Sequence, residues 1–261
     1  MDKLVSIVTP SYNTAKFIGE TIKCVLSQTY TNWEMLIVDD CSTDETESIV
    51  LSFNDERIKF IKNEKNSGAA ESRNRALREA KGKWIAFLDS DDLWTSDKLA
   101  KQIAFMEDND YHFSYTEYEE IDENGAFVGR KITGPKKISR AKMYRYCWVG
   151  CLTAMYDAEY VGLIQVSAEV KKRNDYAMWL LVSRKAKCYL LKETLAYYRK
   201  RAGSLSNTGY RKLIKHHYRL FRYGLGFNPV HSVWRTFINL VFGVYKKAHY
   251  VKKYKVPTQE S

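Results

Sequence analysis

The chain predicts an α/β fold, a mostly parallel central sheet with helices on both faces, and three observations carry that expectation. Its first ninety residues alternate short β-branched runs with segments of helical periodicity. Those runs are apolar almost throughout rather than at every second residue, as in strands covered on both faces. Three of them end in polar sets: Ser11-Tyr12-Asn13, Asp39-Asp40 and Asp89-Ser90-Asp91-Asp92. Ligands of such folds gather beyond the carboxyl ends of the strands, so this convergence marks a site.

Each element can be justified in turn. Val5-Ser6-Ile7-Val8-Thr9 is a first strand, ending at Pro10. Ile18, Ile22, Val25 and Leu26 recur at helical spacing, predicting a helix to about Gln28. Met35-Leu36-Ile37-Val38 is a second strand, and Ser42-Thr43-Asp44-Glu45 has the pattern of a capping box opening the next helix. Ile58 to Ile61 is a third strand, Asn66-Ser67-Gly68 a turn, Ala69 to Ala80 a helix, and the run from Trp84 a fourth strand. Beyond Trp94 the alternation fades. A helix is expected from Ser96 to about Asp108, and a hairpin turn at Asp122-Glu123-Asn124-Gly125. Leu152 to Tyr156 reads as a strand, and Asp175 to Arg184 as a helix with Trp179, Leu180 and Val182 available for burial. Lys187 to Leu191 and Leu195 to Tyr198 read as two short strands. Ser206-Asn207 suggests a boundary before a new helical region.

With 261 residues, 45% hydrophobic and 28% charged, the chain can bury a sizeable core as one two-lobed domain or two small ones. Met1-Asp2-Lys3-Leu4 has none of the regions of a signal peptide, and no apolar run approaches the ~20 residues of a membrane span. The five cysteines form no C-x-x-C pair, so a reduced cytosolic compartment is expected and Cys147 and Cys151 read as small buried residues. The net charge of +11 is uneven. From Thr194 to Gln259 there are 14 Lys/Arg and no Asp or Glu, whereas the first 193 residues hold 28 basic against 30 acidic, a net −2. A tail of this kind needs a polyanionic partner: nucleic acid, anionic lipid or a diphosphate-bearing substrate.

The run Trp84-Ile85-Ala86-Phe87-Leu88-Asp89-Ser90-Asp91-Asp92 delivers carboxylates to a sheet edge. Crowded carboxylates repel one another and are best tolerated around a cation. A D-x-D pair at a strand end can hold one hard divalent ion, Mn²⁺ or Mg²⁺, and leave room for substrate phosphates. By itself the pattern also reads as a solvated acidic turn ahead of the helix at Ser96.

Four ordered blocks add specificity: Val5 to Asn13 (VSIVTPSYN), Ile37 to Asp44 (IVDDCSTD), Asn66 to Leu77 (NSGAAESRNRAL) and Trp84 to Trp94 (WIAFLDSDDLW). Together they resemble the family 2 inverting glycosyltransferases of the GT-A fold, of bacterial surface-polysaccharide type. The likeness continues more thinly through Asn174-Asp175 with Trp179, then Tyr198-Arg199 with Ser204 and Ser206. It implies a nucleotide-sugar-binding half over residues 1–94 and an acceptor-binding, base-carrying half over 95–208. Residues 209–261 form a basic helical extension.

On that resemblance the donor is a UDP-sugar, with UDP-glucose or UDP-galactose suggested by D-S-D-D, and its contacts fall on Pro10, Tyr12, Asn13, Asp40, Arg73, Asp89, Ser90 and Arg201. Tyr12 would stack on uracil, Asp40 accept from the ring N3–H, Arg73 brace the diphosphate, Asp89 meet the ribose or sugar, and Asp91 ligate Mn²⁺ or Mg²⁺. Each also has a plainer reading: a turn aromatic, a turn acid, a surface arginine. Asp92 could support the metal acids or cap the next segment, the second being preferred. The resemblance makes Asp175 the catalytic base that deprotonates the acceptor hydroxyl. Family members usually carry Glu before that Asp; here Asn174 replaces it. Trp179 is expected at the acceptor, and Arg201 on a loop over the diphosphate where relatives often have His.

From Val230, the set Val233, Trp234, Phe237, Ile238, Val241, Val244 and Tyr245 follows helical spacing, broken by Arg235 and Asn239. With Lys246, Lys247, Lys252, Lys253 and Lys255 it suits a helix lying on an anionic leaflet, the alternative being a terminal helix packed on the body. The expected enzyme is then cytoplasmic and peripheral on the inner face of a bacterial plasma membrane. It would transfer a sugar to a glycan or a lipid-diphosphate-linked oligosaccharide for capsule or O-antigen synthesis. A nucleotidyltransferase of similar fold lacks support because no Gly-rich, Lys-containing loop occurs near the N-terminus. A nucleic-acid-binding protein using the tail is a different class, but the strand-end acids would repel phosphates, so no nucleic-acid partner is expected.

Overall fold

The computed structural model describes residues 2–201 and 210–256. In chain order its first half runs β1 (Val5–Ser11), α1 (Ala15–Leu26), β2 (Trp33–Asp39), α2 (Thr46–Leu51), β3 (Ile58–Lys62), α3 (Ala69–Glu79) and β4 (Trp84–Phe87). There follow β5 (Leu93–Trp94), α4 (Lys98–Asp108), β6 (Phe113–Ile121), β7 (Phe127–Ile132), β8 (Lys137–Ile138), α5 (Arg140–Met143), β9 (Met155–Asp157) and α6 (Ala158–Val161). The chain continues through α7 (Asn174–Val182), β10 (Cys188–Arg199), α8 (Tyr210–Arg219), α9 (Pro229–Tyr250) and β11 (Val251–Lys253).

Strands β3, β2, β1 and β4 lie side by side and parallel. β9 then pairs antiparallel with both β4 and β6, after which β7 and β11 extend the sheet. The apolar runs are buried on both faces, and successive residues feed two separate cores. Val8, Leu36, Val38, Ile85 and Phe87 pack toward α3 and α7. Ile7, Met35, Ile37, Trp84 and Ala86 pack toward α1 and α4 through Ile18, Ile22, Leu99 and Ile103. That two-sided burial is why the strands lack polar alternation.

Several sequence expectations shift. The α2 helix begins at Thr46 without a side-chain cap from Ser42, so the capping box does not form. Ser42 instead turns back to Asp39, its amide donating to Oδ2 at 2.9 Å. The two strands expected after Lys187 are one, β10, with register irregularities at Leu191–Thr194 and Thr194–Ala196. The helix expected from Ser96 starts at Lys98. Cys147 is buried as expected but Cys151 only half-buried, and all five thiols are free. Ser204 and the Ser206-Asn207 boundary lie outside the described residues.

The C-terminal segment joins the body. β11 pairs antiparallel with β7, and α9 packs on residues 145–148. Asn239 Nδ2 donates to the Arg145 carbonyl at 3.0 Å and to the Tyr176 hydroxyl at 2.7 Å. Lys246 Nζ donates to the Trp148 carbonyl at 3.0 Å. The helix is inverted relative to an ordinary surface helix. Ser232, Thr236 and Asn239 are buried, whereas Val230, Val233, Trp234, Phe237, Val241 and Val244 are exposed, Val230 by 80% and Val244 by 70%. Among the described residues no helix is long and apolar enough to cross a membrane.

Candidate active site

The polar strand ends meet where β1, β2 and β4 finish. Ser11 lies opposite Asp39 in the register, and the Asp40 amide donates to the Ser11 carbonyl at 2.9 Å. Asn13 adopts φ 49° and holds two loops together. Its amide donates to Ser42 Oγ at 2.8 Å, and its Oδ1 accepts from the Thr43 amide at 2.8 Å. Tyr12, beside it, is 48% exposed, with its ring open to solvent. Pro10 is buried within β1, so its part is to shape the strand end rather than offer a side chain to solvent.

Asp40 is buried, and its carboxylate organises the loop before α3. Oδ1 accepts from Asn63 Nδ2 and from the Ser67 amide, both at 2.8 Å. Oδ2 accepts from the Gly68 amide at 2.7 Å, where Gly68 has φ 87°. A carboxylate offers about four lone-pair directions, so one remains on Oδ2 for an outside donor such as a base N–H.

Arg73 is buried and links the two halves of the site. One terminal nitrogen donates to Asp89 Oδ1 and the other to Asn174 Oδ1. Burial opposes its charge, but Asp89, Cys151 and Asp175 outweigh burial and hold the guanidinium protonated. The sequence left the residue before Asp175 without a role; here Asn174 anchors Arg73. Arg173 precedes it at φ 63°, a left-handed turn for a non-glycine residue, and swings the chain into α7. Asp175 therefore sits in the first turn of α7, half-buried, and close enough to Arg73 to favour its charge.

The D-S-D-D acids differ sharply. Asp89 faces Arg73. Asp91 Oδ2 accepts from Arg201 Nε at 2.5 Å. Asp92 is buried and, instead of capping the next segment, accepts from the Arg199 amide at 2.8 Å. Arg199 was unremarked in the sequence beyond its place in a motif. Its side chain is 1% exposed and donates to the Asp91 carbonyl, the Glu123 carbonyl and Glu20 Oε2. It thereby ties β10 to the acidic turn. Ser90 is buried between the acids. Trp179 corrects an expectation: at 0% exposure it packs edge-on to Phe87, centroids 5.0 Å apart, and cannot reach an acceptor. Its spacing on α7 had always permitted burial.

Burial, then Asp89, raises the proton affinity of Asp91, and burial, then Asp91 and Asp89, raise that of Asp92 further. Such mutual repulsion suits a site completed by positive charge, a part Arg201 takes beside Asp91. Among the described residues no cluster of three His, Cys, Asp or Glu forms a metal cage. An ion held by one or two carboxylates, with substrate phosphates completing its shell, needs no cage. The oxygen donors here fit a hard Mn²⁺ or Mg²⁺ ion on Asp91.

Comparison with known proteins agrees with this geometry. Residues 6–156 match the model of glycosyl transferase family 2. The chain is 42% identical over 207 residues to TuaG of Bacillus subtilis (strain 168), named as a teichuronic acid biosynthesis glycosyltransferase, covering 78% of this chain and 82% of that one. It is 45% identical over 181 residues to WfgD of Escherichia coli, a UDP-Glc:alpha-D-GlcNAc-diphosphoundecaprenol beta-1,3-glucosyltransferase, covering 69% of this chain and 70% of the relative. TarS of S. aureus, solved with UDP, superposes with a TM-score of 0.69 at 21% identity, over 94% of this chain and 73% of TarS. The mannosyltransferase PcManGT from Pyrobaculum calidifontis, solved with GDP-Man and Mn²⁺, superposes at 0.63 and 16% identity, over 94% of this chain and 76% of that one. The fold is thus the GT-A fold, and the chain belongs to glycosyl transferase family 2.

Proposed function

We propose that this glycosyltransferase moves a hexose, glucose or galactose, from its UDP-sugar to a hydroxyl of a lipid-diphosphate-linked glycan, with inversion. The observation that carries the reading is Arg73, whose two arms reach Asp89 in the acidic turn and Asn174 beside Asp175. One guanidinium thus joins a donor acid to the turn that carries the candidate base, which supports a shared site. The relatives' names, with a UDP-Glc donor and a diphosphoundecaprenol acceptor in WfgD, support the substrate classes.

Tyr12 stacks on the base, and the free direction of Asp40 Oδ2 accepts its N–H. Arg73 and Arg201 face the diphosphate. Asp175 takes the acceptor hydroxyl's proton as that oxygen bonds to the anomeric carbon opposite the diphosphate. The carbon–oxygen bond to UDP breaks, UDP leaves with the bonding pair, and the configuration inverts. A divalent ion, when bound by Asp91, supplies charge neutralisation for the leaving diphosphate.

The outward apolar face of α9 supports a second part of the proposal, attachment to an anionic leaflet. Trp234 and Tyr245 suit the lipid interface, and Arg130, Lys247 and Lys253 border an open basic cavity near the helix's far end. A second copy is disfavoured as the occupant, since the stretch from Thr194 to Gln259 carries no acid and would meet its own charge.

The test is UDP release from a panel of UDP-sugars with Mn²⁺, Mg²⁺ or chelator, comparing wild type with Asp91→Asn. Metal-dependent release from one donor, lost in the variant, is expected. Absence of any UDP binding would overturn the reading.

A further inference from the structure

A second cationic cleft lies apart from the acidic turn. It has a volume of about 280 Å³ and is walled on one side by residues 169–172 and on the other by α8. Two elements distant in sequence bring Lys171, Lys172, Lys212, Lys215, His216 and Arg219 to this one space, against a single acid, Glu169. Burial and the neighbouring Lys172, Arg173, Arg219 and Lys215 all disfavour a proton on His216. The cations therefore reinforce one another's field, and an anion in the cleft would relieve their repulsion.

Position gives the cleft its meaning. Lys172 stands three residues before Asp175, a stretch that spans at most about 11 Å even when extended. On its other side, α8 packs against α9, whose outer face is apolar. A lipid-diphosphate-linked sugar has the same order of parts: a reactive hydroxyl, then across a sugar ring a diphosphate, then a hydrocarbon chain.

We propose that the cleft of Lys171, Lys172, Lys212, Lys215, His216 and Arg219 binds the diphosphate of the acceptor, presenting its sugar hydroxyl to Asp175. The inference rests on the lipid-diphosphate reading above and assigns that substrate a recognition site. Lys212 and Lys215 are exposed and reach the cleft from α8, so they are the residues to change.

The experiment uses the full chain with UDP saturating the donor site. Inorganic pyrophosphate is titrated into wild type, into K212Q/K215Q, and into K136Q/K187Q, which removes equal charge from another exposed surface. Wild type and the K136Q/K187Q control should bind pyrophosphate alike, and K212Q/K215Q at least tenfold more weakly. With a short-chain, diphosphate-linked sugar acceptor, K212Q/K215Q should raise KM at least tenfold relative to its KM for the same sugar as a neutral alkyl glycoside. A change confined to pyrophosphate, with the two KM values moving together, would mean a general phosphate site and overturn the acceptor assignment. No pyrophosphate binding by wild type, or equal binding by both variants, would overturn the site itself. Failure of the underlying reading is separate: wild type would bind UDP yet transfer no sugar to the diphosphate-linked acceptor.

Discussion

Replacing Trp234 and Phe237 together by Ser should detach the protein from lipid without unfolding it. These side chains are 58% and 56% exposed, so each still turns just over half its surface to water. Full burial of one such side chain is worth about 1.5–3 kcal/mol, and the exposed portions of both therefore hold about 2–3 kcal/mol to be gained in a lipid interface. Losing that gain lowers the partition constant roughly 30- to 140-fold, at about 1.4 kcal/mol per factor of ten. Their main aromatic contact is with each other, at 6.1 Å between centroids, so little of the fold depends on them. Sedimentation with vesicles containing an anionic lipid measures the partition, and thermal unfolding checks the fold. Binding should also fall with added salt, because exposed lysines are screened. Vesicle binding within twofold of wild type would refute the argument. So would a fall of many degrees in Tm, which would mean that the face is covered within the protein.

Three other outcomes follow from named contacts. Asp40→Asn keeps one acceptor oxygen but sets an amino group against a loop amide, costing about 1–3 kcal/mol; Tm and UDP affinity should both fall, and no change in either would contradict the role given to its carboxylate. Gly82→Ala would bring a Cβ to 2.5 Å from the Ser6 amide nitrogen and 2.7 Å from the Leu4 carbonyl, and backbone cannot yield as a side chain can; a clear loss in Tm is expected, of the about 1–3 kcal/mol typical of overpacking. Burial, aided by Arg173 and His216, pushes His217 down to about 3. The unfolded chain then binds this proton near pH 6.5 and the folded chain not until about pH 3, so the contribution is complete above pH 6.5 and declines as pH falls. At pH 5 the loss is about 2 kcal/mol, and Tm measured from pH 7 to pH 5 should drop less steeply in His217→Gln than in wild type.

Much of the donor half was legible because its signals are local. Apolar runs ending in polar sets marked β1, β2 and β4, since two-sided burial in a parallel sheet leaves a sequence mark. The capping box at Ser42 misled because a side chain can satisfy a loop as well as a helix end: Ser42 serves Asp39 and Asn13. The link from Arg73 to Asn174 spans 101 residues and could not be read from spacing. Trp179 was placed with the acceptor by the family resemblance, but burial depends on what packs against α7, here Phe87 and Phe113. The α9 helix gave its apolar stripe plainly. Its orientation was hidden, because Ser232, Thr236 and Asn239 bury a polar stripe only once Arg145 and Tyr176 supply partners.

The assignment of Asp175 as base is the center of the account, and Asp175→Asn tests it most directly. Transfer to a lipid-diphosphate acceptor and affinity for the UDP-sugar are measured on the same protein. General-base catalysis contributes about 10²–10⁴-fold, so turnover should fall by that much while donor affinity stays close to wild type. Near-native turnover would contradict the account, as would a loss of turnover matched by an equal loss of donor binding.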